Sequence, residues 1–262
     1  MPSLTITPVP AFTDNYIWCL HDGETAVVVD PGDAGPVRAF LQQHNLMLKG
    51  ILVTHHHWDH VGGIDTLVKE YPGIPVWGPA NEQIPCRTVA LKHGDSVSLP
   101  FGVRLEVLEV PGHTLGHIAY YCEDCAGTGP ILLSGDTLFS SGCGRLFEGT
   151  AEQMHHSLGL FKRLPGATRI YCTHEYTLSN LRFALAVEPD NPDILDRQHQ
   201  VEELRAQERP SLPTNLSLEL RVNPFLRADK PSVRSAVSRN CGSGPSGEVD
   251  IFAKLRSWKD HF

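Results

Sequence analysis

The chain has 262 residues, 41% of them hydrophobic and 20% charged, with 22 Lys+Arg against 30 Asp+Glu and a formal net charge of −8. This composition excludes wholesale disorder and argues against a nucleic-acid binder, because cations laid along phosphates supply much of duplex affinity. No apolar stretch approaches the roughly 20 residues of a membrane helix, and the start lacks a basic segment followed by an apolar run, so a soluble, cytoplasmic protein is expected.

As far as residue 174, short apolar runs alternate with helical patterns. Residues 26–30 form a β-branched run closed by Pro31-Gly32, 36–44 read as a helix, and 50–54 as a buried strand. The pattern predicts a helix near 61–71 and strands near 75–77, 103–110, 118–122 and 131–134. Thr150-Ala-Glu-Gln153 has the form of a capping box opening a helix through residue 164, and 169–172 is one more strand. Two packed sheets with helices outside are expected. Beyond Tyr176 the pattern is helical: 178–187, then 192–207 with Asn191 as N-cap and Pro192 at N1, a loop or linker over 240–247, and a terminal helix over 248–259. Residues 1–196 hold 11 Lys+Arg against 22 Asp+Glu and residues 197–262 hold 11 against 8, so the last quarter is the part suited to an anionic ligand.

Seven scattered cysteines are unlike the dense, even framework of a secreted disulfide scaffold, and reduced thiols are expected. Cys122-Glu-Asp-Cys125 has no second CxxC to complete a zinc site and reads as a hairpin loop.

The segment Thr54-His55-His56-His57-Trp58-Asp59-His60-Val61-Gly62-Gly63 has imidazole or carboxylate at five of ten positions, directly after a buried strand. Such a set suits zinc, iron or manganese, and a solvated His-rich patch would not explain its delivery by an apolar strand. Three more strand ends carry ligand types: His113, with His117 four residues on, then Asp136, then His174. In order, the four motifs resemble the HxHxDH, H, D, H series of the metallo-β-lactamase superfamily. The resemblance implies an α/β fold, an αββα four-layer sandwich with metals at one edge of the sheets. It gives His55, His57 and His113 to a first metal and Asp59, His60 and His174 to a second, with Asp136 bridging. His56 is read as no ligand, since neighbours in an extended loop diverge, and His117 as a supporting or core histidine. The histidines at 21, 44, 93, 155, 156, 199 and 261 lack a ligand-type context.

The resemblance narrows to glyoxalase II, the hydroxyacylglutathione hydrolases, at Ala11-Phe-Thr-Asp-Asn-Tyr-Ile-Trp18, the segment 135–150, Cys172-Thr-His-Glu-Tyr-Thr-Leu-Ser-Asn180, Asn223-Pro-Phe-Leu-Arg227 and Leu255-Arg256-Ser-Trp-Lys259-Asp-His-Phe262. It implies a catalytic domain over 1–174, a helical substrate-binding domain over 175–262, and hydrolysis of S-(R)-lactoylglutathione to D-lactate and glutathione in methylglyoxal detoxification. It assigns glutathione contacts to Arg145, Tyr176, Arg256 and Lys259. Without it, the spacing of Arg256 and Lys259 reads as an exposed helix face. Phe147 stands where relatives often have Tyr, and 230–248 matches poorly.

The chemistry agrees with that resemblance. Two divalent metals per chain, zinc first with iron or manganese as alternatives, would hold a bridging hydroxide, since metal-bound water ionises near pH 7. Asp59 would ligate and orient this nucleophile, and Asp136 would couple the metals. A thiolate, with a parent pKa of about 8.5, departs nearly unaided, so a thioester suits a site with no evident general acid. The expected partner is a small glutathione thioester, with no nucleic acid, no membrane and a monomeric chain. The runner-up is a glutathione persulfide dioxygenase with a single iron; the complete second-metal set and the helical C-terminal part favour hydrolysis.

Overall fold

The computed structural model describes residues 4–125, 127–242 and 246–262, in two compact units: Met1–Glu109 with Gly116–Gly135, and Val110–Leu115 with Asp136–Phe262. In the first unit β1 (Thr5–Ala11), β2 (Asn15–His21) and β3 (Thr25–Val29) form an antiparallel meander. There follow α1 (Ala34–His44), β4 (Met47–Leu52), α2 (Trp58–Val61), α3 (Ile64–Glu70), β5 (Val76–Pro79) and β6 (Val89–Leu91). Strands β3 to β6 are parallel, which requires crossovers, and α1 and α3 are the helical ones. Val37 and Leu41 of α1 and Ile64 and Leu67 of α3 pack with Val28, Ile51 and Val76 of the sheet in one buried cluster.

A second, antiparallel ladder follows: β7 (Ser96–Ser98), β8 (Arg104–Glu109), β9 (Ile118–Cys122) and β10 (Ile131–Gly135). Tyr120 of β9 is wholly buried and donates its hydroxyl to the Val53 carbonyl at 2.8 Å, tying the ladder to the end of β4. Cys122 ends β9 and Cys125 lies in the connection to β10, as a hairpin loop requires; all seven cysteines are free thiols.

The second unit opens with the tight hairpin β11 (Leu138–Phe139) and β12 (Gly142–Cys143). Then come α4 (Ala151–Phe161), β13 (Arg169–Cys172), α5 (Thr177–Val187), α6 (Pro192–Ala206), β14 (Thr214–Asn215) antiparallel to β13, and α7 (Leu216–Val222). A single 3₁₀ turn, Pro224–Leu226, precedes α8 (Pro231–Cys241) and α9 (Glu248–Asp260). Leu181 and Ala184 of α5, Ile194 and Val201 of α6 and Val222 of α7 make an apolar cluster. Helix α9 is seated by aromatic edges: Phe252 meets Phe225 at 5.7 Å between centroids and Trp258 meets Phe183 at 5.4 Å. Among the described residues no helix is long and apolar enough to cross a membrane.

The structure departs from the sequence expectations where local signals conflict. Residues 5–21 are a hairpin that the pattern did not announce, because Pro8 and Pro10 read as strand breakers; β1 is an edge strand, where proline is tolerated. The helix expected over 61–71 is α3, which starts at Ile64, with the short helix α2 before it across Gly62-Gly63. Helix α8 occupies most of the stretch 230–248 that matches the family poorly, started by Pro231 at its first position and ended by Gly242 at φ 68°. The loop expected over 240–247 therefore begins later, and its residues 243–245 lie outside the described residues.

The capping box is present: Thr150 Oγ1 accepts the Gln153 N–H at 3.2 Å and Gln153 Oε1 accepts the Thr150 N–H at 2.8 Å. Thr150→Ala is expected to destabilise the protein by about 1 kcal/mol in urea unfolding while leaving metal content unchanged.

Candidate active site

In the first unit β4 ends at Leu52 and delivers Thr54 and the histidine cluster to a loop closed by α2. His55 and His60 are fully buried. Nε2 of His55 lies 3.1 Å from Nδ1 of His57, and Nε2 of His60 lies 3.5 Å from Oδ2 of Asp59. Behind them stands Asp30, a buried carboxylate at the end of β3 whose φ of 52° puts it in the left-handed region. Its Oδ1 accepts the Thr54 N–H at 2.7 Å, its Oδ2 accepts the Thr54 hydroxyl at 2.7 Å, and Nδ1 of His60 is 3.0 Å from the same Oδ2. Because that hydroxyl gives its proton to Asp30, it accepts from Nδ1 of His55, 3.1 Å away, which leaves Nε2 of His55 as a lone-pair donor.

Three further residues support this loop. Asn15, buried on β2, donates from Nδ2 to Oδ2 of Asp59 at 3.1 Å. Glycines let the chain ends meet: a Cβ on Gly32 would overlap the Asp59 carbonyl, and one on Gly63 would come within 2.6 Å of the Pro31 carbonyl oxygen. His56 turns away to Glu82, with Nδ1 3.1 Å from Oε2. His117 is fully buried and stacks on His55 at 4.7 Å between centroids, a packing contact.

In the second unit three donors converge. Nε2 of His113 lies 3.5 Å and Nε2 of His174 3.2 Å from the same Oδ2 of Asp136. His113 donates its Nδ1–H to the Arg145 carbonyl at 2.8 Å, which again turns Nε2 inward. Gly144 permits this packing, since a Cβ there would overlap the Asp136 carbonyl. An imidazole lone pair facing a carboxylate oxygen is repulsive unless a cation stands between them, so the histidine and aspartate clusters of this chain fit a divalent metal.

The residues assigned to glutathione also gather in the second unit. Tyr176, at the start of α5, lies parallel to the His174 ring at 4.7 Å and meets Phe139 edge-on at 5.4 Å. Arg256 is not on a solvated face. It is 4% exposed, donates from Nη1 to the Cys143 carbonyl at 2.9 Å and from Nε and Nη2 to Asp260 Oδ1, and covers the Phe225 ring. Lys259 lies over the Phe183 ring with Nζ 3.3 Å from the Ser179 carbonyl; burial first, then the neighbouring Arg256, lowers its pKa to about 8. Arg145 is exposed, with Nε 3.8 Å from Asp260, and Phe147 is exposed too. Burial pushes the Cys143 thiol up to about 11 and the Cys172 thiol higher still, so neither is a thiolate nucleophile near neutral pH.

Asp30 and Asn15 were missed as site residues. Asp30 carries the signal that revealed Asp136, a carboxylate at the end of an apolar run, but nothing in the sequence separates a residue that holds ligands from one that is a ligand.

Residues 12–174 match the family model described as metallo-beta-lactamase superfamily, and residues 175–262 the model described as hydroxyacylglutathione hydrolase C-terminus. A hydroxyacylglutathione hydrolase of Pseudomonas aeruginosa (strain PAO1) is 54% identical over 262 residues, covering 99% of this chain and 100% of its own. One of Cupriavidus taiwanensis is 52% identical over 266 residues, with 99% of each chain covered. The crystal structure of ETHE1 from Myxococcus xanthus superposes with a TM-score of 0.63 at 23% identity, over 98% of this chain and 97% of that one. The fold is thus the αββα metallo-β-lactamase sandwich with a helical C-terminal part.

The Asp30 relay can be inverted without removing a hydrogen-bonding group. In Asp30→Asn the amide can donate to Thr54, whose hydroxyl then donates to His55 and moves the imidazole proton to Nε2. Metal affinity is expected to fall about 10- to 100-fold, read by competition with a chelator, while the far-UV spectrum stays native.

Proposed function

Because the chain belongs to the hydroxyacylglutathione hydrolase family of thioester hydrolases, within the metallo-β-lactamase superfamily, we propose that it hydrolyses S-(R)-lactoylglutathione to D-lactate and glutathione, the second step of methylglyoxal detoxification. The observation that carries this reading is the pairing of donors inside each unit. His55 faces His57, the pair given to the first metal, and Asp59 faces His60, the pair given to the second. Asp136 receives His113, from the first set, and His174, from the second, on one oxygen, as a bridging carboxylate requires. We assign His55, His57 and His113 to one divalent metal, Asp59, His60 and His174 to another, and Asp136 to both, with zinc preferred. When bound, such a pair supplies a hydroxide at neutral pH and polarises the thioester carbonyl.

The chain's own residues do the rest. Asn15 orients the Asp59 carboxylate, and Asp30, through the Thr54 hydroxyl, sets the tautomer of His55. Glutathione carries two carboxylates, which the electropositive group of Arg145, Arg256 and Lys259 answers, while Tyr176 lends a hydroxyl beside His174. Arg256, already committed to Cys143 and Asp260, fixes the shape of this group more than it offers free donors. The leaving thiolate departs without needing a proton from a general acid. The dioxygenase reading is set aside, since relatives matching the full chain are named as hydrolases.

Asp136→Asn removes the charge shared by both cations, and metal content and turnover of S-lactoylglutathione are expected to fall together; full metal content with full turnover would refute the bridging assignment. Lys259→Ala is expected to raise KM about tenfold, the equivalent of 1.4 kcal/mol, with kcat and metal content little changed.

The pH dependence of Lys259 has a definite sign. Its folded pKa of about 8 lies below the ordinary 10.5, so between those values the folded state has shed a proton that the unfolded state still binds. Stability therefore rises with pH across that window. As pH rises through about 8 the substrate carboxylate loses this cation, with only Arg145 and Arg256 left to face it and Asp260 opposing. KM is expected to climb from pH 7 to 9 in the native enzyme and to stay flatter in Lys259→Arg, measured by following the thioester absorbance.

A further inference from the structure

The tight turn between β11 and β12 is held from below by one buried carboxylate. Glu219, on α7 and fully buried, accepts the Ser141 N–H at 2.7 Å and the Asn223 side-chain amide at 3.1 Å on Oε2. On Oε1 it accepts the Ser140 hydroxyl at 3.1 Å and the Thr214 hydroxyl at 2.7 Å. Asn223 also donates to the carbonyls of Phe139 and Gly142, at 3.2 and 3.0 Å, and Asn180 to that of Ser140 at 3.0 Å. Ser141 sits at φ 58°, a left-handed conformation that a residue other than glycine adopts only when its surroundings impose it.

What the turn carries explains why a carboxylate is buried there. On one arm the Phe139 ring stands edge-on to both His174 and Tyr176, at 5.8 and 5.4 Å. On the other, the Cys143 carbonyl receives Nη1 of Arg256. Two assigned glutathione contacts, Tyr176 and Arg256, thus lean on the two arms of one hairpin. A buried carboxylate is expensive unless fully hydrogen-bonded, and an apolar side chain could fill the volume but could not hold Ser141 in place.

We infer that Glu219 is a positioning residue of the substrate site: through the Ser140-Ser141 turn it fixes Phe139 and the Cys143 carbonyl, and through these the Tyr176 ring and the Arg256 guanidinium. The inference rests on the substrate reading above for what these two groups bind, and on the hydrogen bonds alone for the clasp itself.

The test compares Glu219→Ala with Glu219→Gln in the metal-loaded enzyme. Glu219→Ala should accelerate amide hydrogen exchange over 138–143 and raise KM for S-lactoylglutathione about tenfold, with kcat within about threefold. Metal content, and turnover of a small thioester lacking glutathione's carboxylates, should be unchanged. Glu219→Gln should restore native KM and exchange, because its oxygen can keep Ser141 and Asn223 while its amide donates to the two hydroxyls. A folded Glu219→Ala with native exchange and native KM overturns the inference, as does a parallel loss of metal and of activity on both thioesters. If the native enzyme does not turn over S-lactoylglutathione, the substrate reading fails, and exchange at 138–143 still decides the clasp. If Glu219→Ala does not fold, Ser140→Ala, which removes one bond, should show faster exchange and a raised KM; native values for both overturn the inference.

Discussion

The Asp30 carboxylate is the contact on which the histidine cluster of the first unit depends. It is buried at a strand end, in a left-handed backbone conformation, and its two oxygens accept the Thr54 amide and hydroxyl, with His60 Nδ1 3.0 Å from one of them. The Thr54 amide fixes where β4 hands over to the histidine cluster, the Thr54 hydroxyl fixes the tautomer of His55, and His60 is met directly. An unpaired buried carboxylate would be costly, so strand end, loop and imidazoles are stabilised together or not at all. The sandwich supplies the rigid floor for this arrangement, and the glycines at 32 and 63 let the two chain segments approach closely enough for it.

The second unit uses the same device with different parts. Asp136 collects two imidazoles on one oxygen, and His113 is held by a backbone carbonyl instead of a side chain. Further out, Glu219 gathers four donors around a turn whose Phe139 ring stands edge-on to His174. At Asp30 and at Glu219 a buried carboxylate is taken up by hydrogen-bond donors, and beside each stands a non-glycine residue in the left-handed region, Asp30 itself and Ser141.

The donors were legible in the sequence because each follows an apolar strand, and a strand end is where a loop can turn polar groups inward. β9 and β13 were readable to the residue for the same reason, as were the caps of α4 and α6, where Thr150 and Asn191 have local partners. Asp30, Asn15 and Glu219 were not legible as supports, since what they hold lies about 24 to 79 residues away and only the folded chain brings the partners together. The β1–β2 hairpin was hidden by its prolines, and Arg256 by a spacing that suits an exposed helix face equally well. Burial of that guanidinium over Phe225 is set by the aromatic cluster, whose members come from three separate segments.

The buried thiols have a consequence for disulfide exchange. Disulfide exchange runs through the thiolate, and at pH 7 a thiol with a pKa of about 11 exposes roughly one part in ten thousand of that form. Cys143 stands next to the Arg256 guanidinium, where a glutathione moiety would be brought close in every turnover. Its burial leaves it a poor nucleophile toward any disulfide, oxidised glutathione included, so thiol–disulfide exchange is a slow route to modifying Cys143.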